Sequence, residues 1–547
     1  MARRLFRDST RHPIEREEAP VHEIRPRFAP IVACAVLAPS LLAQGPYATR
    51  TILLEGDPLQ GGDSGVVEEF GLYNLTRSGE ILLYTAQRND PGTGTSEVVL
   101  WRYGVDGAFQ AVVRESDIAP GTQAPFGRFG SGVMANDGSV LFNTSDGSFF
   151  IPRNGVPETL ALTGGGVPEV PGETFSRFDS ALNAGADAAF FLGRLVSSSP
   201  NVDSTNARGI WRRNAGGTPT LFARAGDLAP GAGGTRFGGG FDVDGLPFFL
   251  AVNNVGRGAF VAELRNGIND PTSDQGLWSV DADGSLQLIT RRGDEAPGAP
   301  RQQIVRFDQP VTNTRGDALL GVTYTSSNAL VVLSDGALTT HVRSGDVLPG
   351  TDGLPLTSVN SFASAFNDAG QIAFTGRIAN GDQVVYITDD TAATLVARSG
   401  TPAPGAGGDT YEFISDSFAL NNRGDYAFLA ALAGADVSSN NALGLFAYDS
   451  AMGETVLLLR TGDLFDVDDA PDSEDLRVID TLEIDIFRKG NSGDGASISD
   501  DDYLVTRIGF TDGTSGLFRV QIPTPGALAL FAATGLGVGR RRRRRHA

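Results

Sequence analysis

The densest group of carboxylates in the sequence lies in its last repeat unit, where Asp466-Val-Asp-Asp469 is followed by Asp472. Carboxylate oxygens are the ligands that calcium prefers in proteins. The spacing does not match the twelve-residue EF-hand loop, so a solvated acidic loop is the favoured interpretation. We therefore predict no cofactor, and a calcium site at Asp466, Asp468, Asp469 and Asp472 is the alternative.

A second set of carboxylates recurs in the signature Arg-x-Gly-Asp-x-x-Pro-Gly, which is clear at 224–231, 292–298 and 343–350. These aspartates could line one rim of the fold as ligands. Because the signature is equivalent in successive units, a structural role is favoured, in which a strand ends in a glycine turn and the carboxylate accepts backbone N–H groups. The residues concerned are Asp227, Asp294 and Asp346.

The sequence offers few other residues that could carry out catalysis. His341 is the only histidine outside the two ends of the chain, so a Ser-His-Asp triad would depend on it alone and a histidine-based zinc site is excluded. We expect His341 to be an ordinary strand residue. Paired carboxylates for glycan cleavage stay open, because their separation is invisible in sequence. We predict that the protein is not an enzyme, and the alternative is a carboxylate-dependent extracellular glycan hydrolase or lyase.

A third recurring signature is Asn-x-x-Gly-x-x-Ala-Phe, which begins at Asn253, Asn367 and Asn421. In such a turn the glycine takes a positive φ, and the asparagine side chain bonds to nearby backbone. Ala-Phe then begins a buried strand. We predict that these asparagines are structural turn residues.

The signatures follow one another in a fixed order with a mean period of about 58 residues, and each period holds four short strand patterns. Four strands per unit is typical of a propeller blade. The first strand pattern of the mature sequence, 51–57, is that of an outer strand. The last, 516–520, is that of a third strand and has no outer strand after it. We therefore predict an all-β, closed propeller over 50–521, with eight four-stranded blades and residues 51–54 beside 516–520.

These signatures resemble the tandem-repeat family that is known by its NxxGxxAF motif, and the resemblance covers about residues 50 to 520. Membership would imply export and surface display without an assigned activity.

The first 43 residues have the features of a secretory signal. An arginine-rich segment precedes the apolar stretch 29–43, and cleavage is expected after Ala43. Cys34, the single cysteine, lies within this stretch. The mature chain would then lack disulfides and thiol chemistry. A buried N-terminal helix is the alternative interpretation.

The last residues, 522–547, read as a sorting tail. Pro523, Thr524, Pro525 and Gly526 precede a short apolar stretch and the arginine cluster 540–545. This layout resembles the PEP-CTERM signals of Gram-negative bacteria, although Thr524 stands where that family usually has glutamate. The resemblance implies an exosortase-like processing enzyme as a partner and a secreted or cell-surface location. A nonspecific basic tail is the alternative.

The formal net charge of −21 makes the chain a poor ligand for nucleic acids, because like charges repel. We expect a monomer that acts as a binding or structural module of the cell envelope or extracellular matrix. A polysaccharide or another envelope protein is the expected partner.

Overall fold

The computed structural model describes residues 48–58, 65–88, 96–196, 202–203, 206–214, 216–238, 248–265, 275–389, 391–468, 474–484 and 497–522. These residues form 35 β-strands and no helix. Their hydrogen bonding groups them into eight antiparallel units, which we call blades 1 to 8. The prediction of an all-β fold with eight blades is confirmed, and the blades have four or five strands each.

The strands follow the chain from the inner to the outer side of each blade. Strand β1 is Thr49–Leu54, and the first four blades consist of β2 (Val66–Leu75), β3 (Ile81–Arg88), β4 (Ser96–Tyr103) and β5 (Phe109–Arg114); β6 (Phe129–Met134), β7 (Val140–Thr144), β8 (Gly147–Ile151) and β9 (Glu158–Leu162); β10 (Phe175–Ala184), β11 (Ala188–Leu195), β12 (Arg208–Asn214) and β13 (Pro219–Arg224); and β14 (Arg236–Phe237), β15 (Phe248–Val252), β16 (Gly258–Arg265), β17 (Gln275–Val280) and β18 (Leu286–Arg291).

The last four blades consist of β19 (Ile304–Phe307), β20 (Val311–Thr312), β21 (Ala318–Tyr324), β22 (Asn328–Ser334) and β23 (Ala337–Arg343); β24 (Leu356–Phe366), β25 (Ile372–Ile378), β26 (Gln383–Thr388) and β27 (Ala393–Arg398); β28 (Thr410–Leu420), β29 (Tyr426–Ala433), β30 (Leu443–Asp449) and β31 (Glu454–Arg460); and β32 (Leu464–Asp466), β33 (Leu476–Glu483), β34 (Tyr503–Phe510) and β35 (Ser515–Gln521). In blades 4 and 5 two short strands, β14 with β15 and β19 with β20, share the innermost position.

The ring closes through the N-terminal strand. Strand β1 pairs antiparallel with β35, so that Thr51 lies opposite Phe518 and Leu54 opposite Gly516. β1 is thus the edge strand of the five-stranded blade 8, whose other four strands, β32 to β35, come from later in the chain. This confirms the predicted closure, which covers two sheet edges that would otherwise be open to other chains.

The apolar core is divided among the blade junctions. Each of the eight hydrophobic clusters in the described part of the chain lies between two neighbouring blades. The Ala-Phe and Gly-Leu-Trp signatures supply its rings, as Phe428 on β29 stacks on Phe446 on β30 with centroids 5.5 Å apart. The repeated apolar residues therefore pack each blade against its two neighbours around the closed ring.

Candidate functional site

The asparagines of the repeat signature lie in the turns between the first and second strands of their blades. In blade 7 the Asn421 side-chain oxygen, Oδ1, accepts hydrogen bonds from the backbone N–H groups of Arg423, at 3.0 Å, and Asp425, at 2.9 Å. Gly424 has φ +89°, which glycine adopts without strain. The asparagine thus folds its own turn, as the sequence predicts.

The other end of each asparagine side chain reaches the next blade. The side-chain nitrogen Nδ2 of Asn367, in blade 6, donates to the backbone oxygen of Asn421 in blade 7 at 2.9 Å. Asn253 donates in the same way to Thr314 O at 2.8 Å. Further bonds of this kind are Asn74 to Met134 O, Asn183 to Asn253 O, Asn313 to Asn367 O and Asn421 to Ser499 O.

The remaining junctions are bridged at the positions that follow the asparagine. The backbone N–H of Asp500, in blade 8, donates to the backbone oxygen of Arg77 in blade 1 at 2.9 Å. The N–H of Ala186, in blade 3, donates to the Asp137 carboxylate of blade 2 at 3.0 Å. All eight blade junctions therefore carry at least one hydrogen bond at these turns. We call this ring of bonds the asparagine belt.

One ion pair within the belt joins blades that are not neighbours. The Nη1 atom of Arg77, in blade 1, lies 2.6 Å from Oδ2 of Asp368 in blade 6, and both side chains are largely buried. The Asn422 amide of blade 7 donates to Asp368 at 3.2 Å and to Asp500 at 2.9 Å. The belt is therefore cross-linked by a polar cluster as well as closed around its circumference.

The aspartates of the second signature lie at the other end of the blades. The Asp294 carboxylate accepts the backbone N–H of Arg291 at 2.7 Å, and the Asp346 carboxylate accepts that of Arg343 at 2.8 Å. Asp227 lies at the equivalent turn, where burial raises the pKa of its carboxyl against the opposing effects of Arg224 and Arg236. These aspartates shape the loops that connect one blade to the next.

The Pro-Gly end of the same signature is held by the blade that follows. The Trp278 indole donates to Pro230 O at 2.8 Å, and the Tyr386 hydroxyl donates to Pro349 O at 2.5 Å. Burial raises the pKa of Tyr386 to about 12, although nearby Arg398 lowers it. The loops are thus bonded to the outer half of the next blade.

The acidic segment of the last unit is only partly within the described residues. The Asp466 carboxylate accepts the backbone N–H groups of Asp468, at 3.1 Å, and Asp475, at 3.0 Å. Asp469 and Asp472 lie outside the described residues. Among the described residues no three His, Cys, Asp or Glu side chains form a group that could hold a metal ion. Calcium binding stays a prediction, and Asp466 has a structural use of its own.

A cavity of about 260 Å³ lies at the seam where β1 closes the ring. Arg50, Asp57, Tyr103 and Asp468 are among the residues that line it. Burial raises the pKa of the Asp57 carboxyl, while the charge of Arg477 lowers it. The seam therefore brings one residue of the acidic segment next to the N-terminal strand.

The other residues predicted from the sequence lie in a strand or outside the described part of the chain. His341 lies half-buried within β23, as an ordinary strand residue would. The signal segment 1–43 and the motif residues Pro523, Thr524, Pro525 and Gly526 lie outside the described residues. No helix that could span a membrane occurs in the part of the chain that the structure describes.

Strand order, closure and blade count define the class of this protein as an eight-bladed β-propeller. The chain belongs to a family of unknown function, DUF7453, whose model matches twice, at residues 39–296 and 291–529. Each match spans about half of the ring. No curated protein matches.

Several solved structures match this chain at low similarity. Puromycin hydrolase is 14% identical with a TM-score of 0.36, and the match covers 86% of this chain but only 62% of that one. Dihydro-heme d1 dehydrogenase NirN is 11% identical with a TM-score of 0.31, covering 78% of this chain and 76% of that one. An uncharacterized protein from Listeria monocytogenes EGD-e is 9% identical with a TM-score of 0.30, and the match covers 86% of this chain and 99% of that one. Identities and scores this low say nothing about chemistry.

Proposed function

We propose that this protein is exported and directed to the cell surface, and that its propeller acts as a binding or structural module of the cell envelope or extracellular matrix. The expected partner is a polysaccharide or another envelope protein. We propose a binding role rather than a catalytic one.

The asparagine belt is the observation that carries this proposal. The repeated polar residues, which would be the obvious candidates for a repeated active site, hold neighbouring blades together. Asn367 is an example, since its side chain makes bonds to its own turn and to blade 7. A ring fixed in this way is a rigid platform, and recognition is left to the side chains and loops that differ between blades.

The two ends of the sequence support export. The apolar stretch 29–43 fits a secretory signal, and the tail 522–547 fits a sorting signal read by an exosortase-like enzyme. The test is to fractionate cells that make the full chain or a chain ending at 521. We expect the full chain outside the cytoplasm without residues 1–43 and without its tail. Intact protein retained in the cytoplasm would contradict this part of the proposal.

The binding role is tested on a glycan array with the purified protein, followed by analysis of released sugars. Retention of a glycan without turnover is the expected result. Release of sugar fragments would contradict a purely binding role and would favour the carboxylate-dependent hydrolase or lyase. Failure to bind any glycan or any envelope protein would remove the proposed role.

A further inference from the structure

Three arginines lie side by side on neighbouring strands of blade 3. Arg177 on β10 is paired in register with Arg194 on β11, and Arg194 is paired with Arg208 on β12. This end of the blade, where β11 ends and β12 begins, is opposite the asparagine belt. We propose that these residues, which we call the arginine row, bind an oxyanion group, that is, a carboxylate, sulfate or phosphate. The inference rests on the proposed function and names the ligand chemistry.

A single carboxylate lies among the three guanidinium groups. Oδ1 of Asp179 is 2.7 Å from Nε of Arg177, and its Oδ2 is 3.7 Å and 3.8 Å from Nε of Arg194 and Arg208. Only the first distance is that of a hydrogen bond. Asp179 therefore neutralises one guanidinium closely and leaves an excess of positive charge around its second oxygen.

Arg194, in the middle of the row, shows that this arrangement is incomplete. Its Nε is buried and has no hydrogen-bond partner among the described residues, and the same holds for Oδ2 of Asp179. Burial lowers the pKa of Arg194 and the positive charge of Arg208 lowers it further, whereas Asp179 raises it. A charged group whose donor lacks a close acceptor is costly when buried. An oxyanion bound at the exposed part of the Arg194 side chain would offset this charge.

The row is a departure from the repeat. In blade 6 the equivalent cross-strand positions hold Ser358, Arg377 and Gln383, which is a single arginine. In blade 5 they hold Arg306, Thr323 and Asn328.

The Asp179 position repeats in blade 5 as well. Arg306 there lies 2.6 Å from Asp308, two residues further on, just as Arg177 lies next to Asp179. Blade 3 therefore adds two arginines to an Arg–Asp pair that the repeat also uses elsewhere.

The position of Arg208 has a structural role in two other blades. In blade 6, the Gln383 amide accepts from Ile414 N at 3.0 Å and donates to Ile414 O at 3.2 Å, which holds the inner strand of blade 7. In blade 5, Asn328 makes the same pair of bonds to Val359 of blade 6. A neutral amide is sufficient for that structural task. Blade 3 has the charged Arg208 where these two blades have a neutral amide.

Like charges on directly neighbouring strands are destabilising, so the row lowers stability unless an anion offsets it. Arginine presents a planar fork of donors that matches the geometry of an oxyanion. Arg177 is 57% exposed and Arg194 32%, so a ligand in solvent can reach both. At physiological salt the Debye length is about 8 Å, which screens the distant acidic charges of the protein.

The test compares sodium sulfate with sodium chloride at equal ionic strength and pH 7, with the melting midpoint of the purified full-length protein as the readout. Sulfate is excluded from protein surfaces and raises the midpoint of wild type and variants alike. We expect an additional rise in the wild-type protein that Arg194→Gln lacks, because binding to the folded state stabilises it. Equal midpoints in the two salts would overturn the proposal.

Two substitutions locate the effect and a third is the matched control. Arg194→Gln removes the middle guanidinium, and Arg208→Gln restores the glutamine that blade 6 has at that position. Each should weaken sulfate binding about tenfold or more, as loss of a charged hydrogen bond does. Arg377→Gln, at the equivalent position of blade 6, should keep the wild-type affinity. A sulfate effect that is as large in Arg194→Gln as in the wild-type protein would overturn the proposal.

A structural role for the row gives a different result without ligand. If Arg194 served only to hold the blade, Arg194→Gln would lower the melting midpoint in chloride. The proposal predicts an unchanged or higher midpoint, because the substitution relieves repulsion from Arg177 and Arg208. A clear decrease would contradict it.

The source of the oxyanion is decided by calorimetric titration with an oligogalacturonate and with a neutral oligosaccharide of equal length. Binding of the uronate that is lost in Arg194→Gln assigns an acidic polysaccharide, whereas an effect of sulfate alone assigns a free inorganic anion. A glycan that binds wild-type and Arg194→Gln protein equally would overturn the arginine row and leave the proposed function intact. Absence of all partner binding, with the sulfate effect preserved, would overturn the proposed function alone.

Discussion

Replacing Asn367 tests the asparagine belt at one junction. Its Nδ2 donates to Asn421 O at 2.9 Å and to the Gln371 side-chain oxygen at 2.7 Å, while its Oδ1 accepts from Gln371 N at 2.9 Å. The residue is 1% exposed, so water cannot replace these partners. Asn367→Ala removes three hydrogen bonds, each with a net contribution of about 1 kcal/mol, and leaves the backbone N–H of Gln371 without this acceptor. The Asn421 carbonyl keeps the hydrogen bond from Gly424 N at 3.2 Å.

We therefore expect Asn367→Ala to lower the free energy of unfolding by about 2–4 kcal/mol. The assay is urea unfolding with the midpoint and slope fitted together, because a changed slope would indicate a changed unfolded or native state. The exposed Asn440 is the matched control, and Asn440→Ala should stay within about 0.5 kcal/mol of wild type. A loss in Asn367→Ala no greater than in the control would refute the belt as a stabilising feature.

Asn367→Asp adds a pH test to the same position. The substitution replaces a donor with a carboxylate oxygen that faces the backbone oxygen of Asn421. Burial of that charge should raise its pKa in the folded state above its value in the unfolded state. The variant should therefore be least stable at neutral pH and should regain stability as the pH falls through the folded pKa, because the protonated acid can donate. A pH-independent difference from wild type would contradict this.

Three further predictions follow from other contacts. Tyr386→Phe removes the bond to Pro349 O and should cost about 1 kcal/mol, and absorbance titration of the wild type should find one tyrosine ionising near pH 12. Asp227→Asn should raise the free energy of unfolding at pH 7, because burial raises the pKa of the Asp227 carboxyl in the folded state. In a pH series of urea melts this gain should vanish below pH 3.8, the ordinary pKa of the carboxyl in the unfolded chain. Gly424→Ala, at φ +89°, should cost about 1 kcal/mol or more by urea melting, whereas Gly216→Ala, where the added methyl group meets no atom within 4 Å, should be close to neutral.

Much of the fold could be predicted from the sequence, because the apolar signatures report on strands that are local in the chain. Ala-Phe and Gly-Leu-Trp mark the second and third strands, as Phe374 on β25 and Tyr386 on β26 show by stacking at 5.7 Å. The closure was predictable as well, since an unmatched outer strand at one end of the chain needs the unmatched third strand at the other.

The partners of the polar residues could not be predicted in the same way. Asn367 bonds to a residue 54 positions away, and the pattern indicated only the bonds within its own turn. In blade 8 the equivalent turn is formed by Ser499 to Asp502, where Asp502 has φ +65° in place of glycine. The belt continues there through backbone atoms, which leave little trace in the sequence.

The arginine row escaped sequence analysis for a related reason. Arg177, Arg194 and Arg208 are neighbours only through strand register, and β-bulges in β10 shift that register between residues 175 and 183. A signal was present, because aligned repeats show Gln383 in blade 6 where blade 3 has Arg208. If the arginine row binds an oxyanion as proposed, positions that depart from the repeat are a better guide to binding than positions that follow it.

Hydrogen–deuterium exchange of β1 tests the closed ring most directly. In the structure the amides of residues 49–54 belong to a strand paired with β35, although they lie more than 460 residues away in sequence. The account predicts that the β1 amides that donate to β35 are protected and exchange together with those of 515–521 when the protein unfolds, whereas the alternate amides on the outer edge of β1 exchange faster. Free exchange of residues 49–54 from a protein whose other strands are protected would contradict the closed eight-bladed ring.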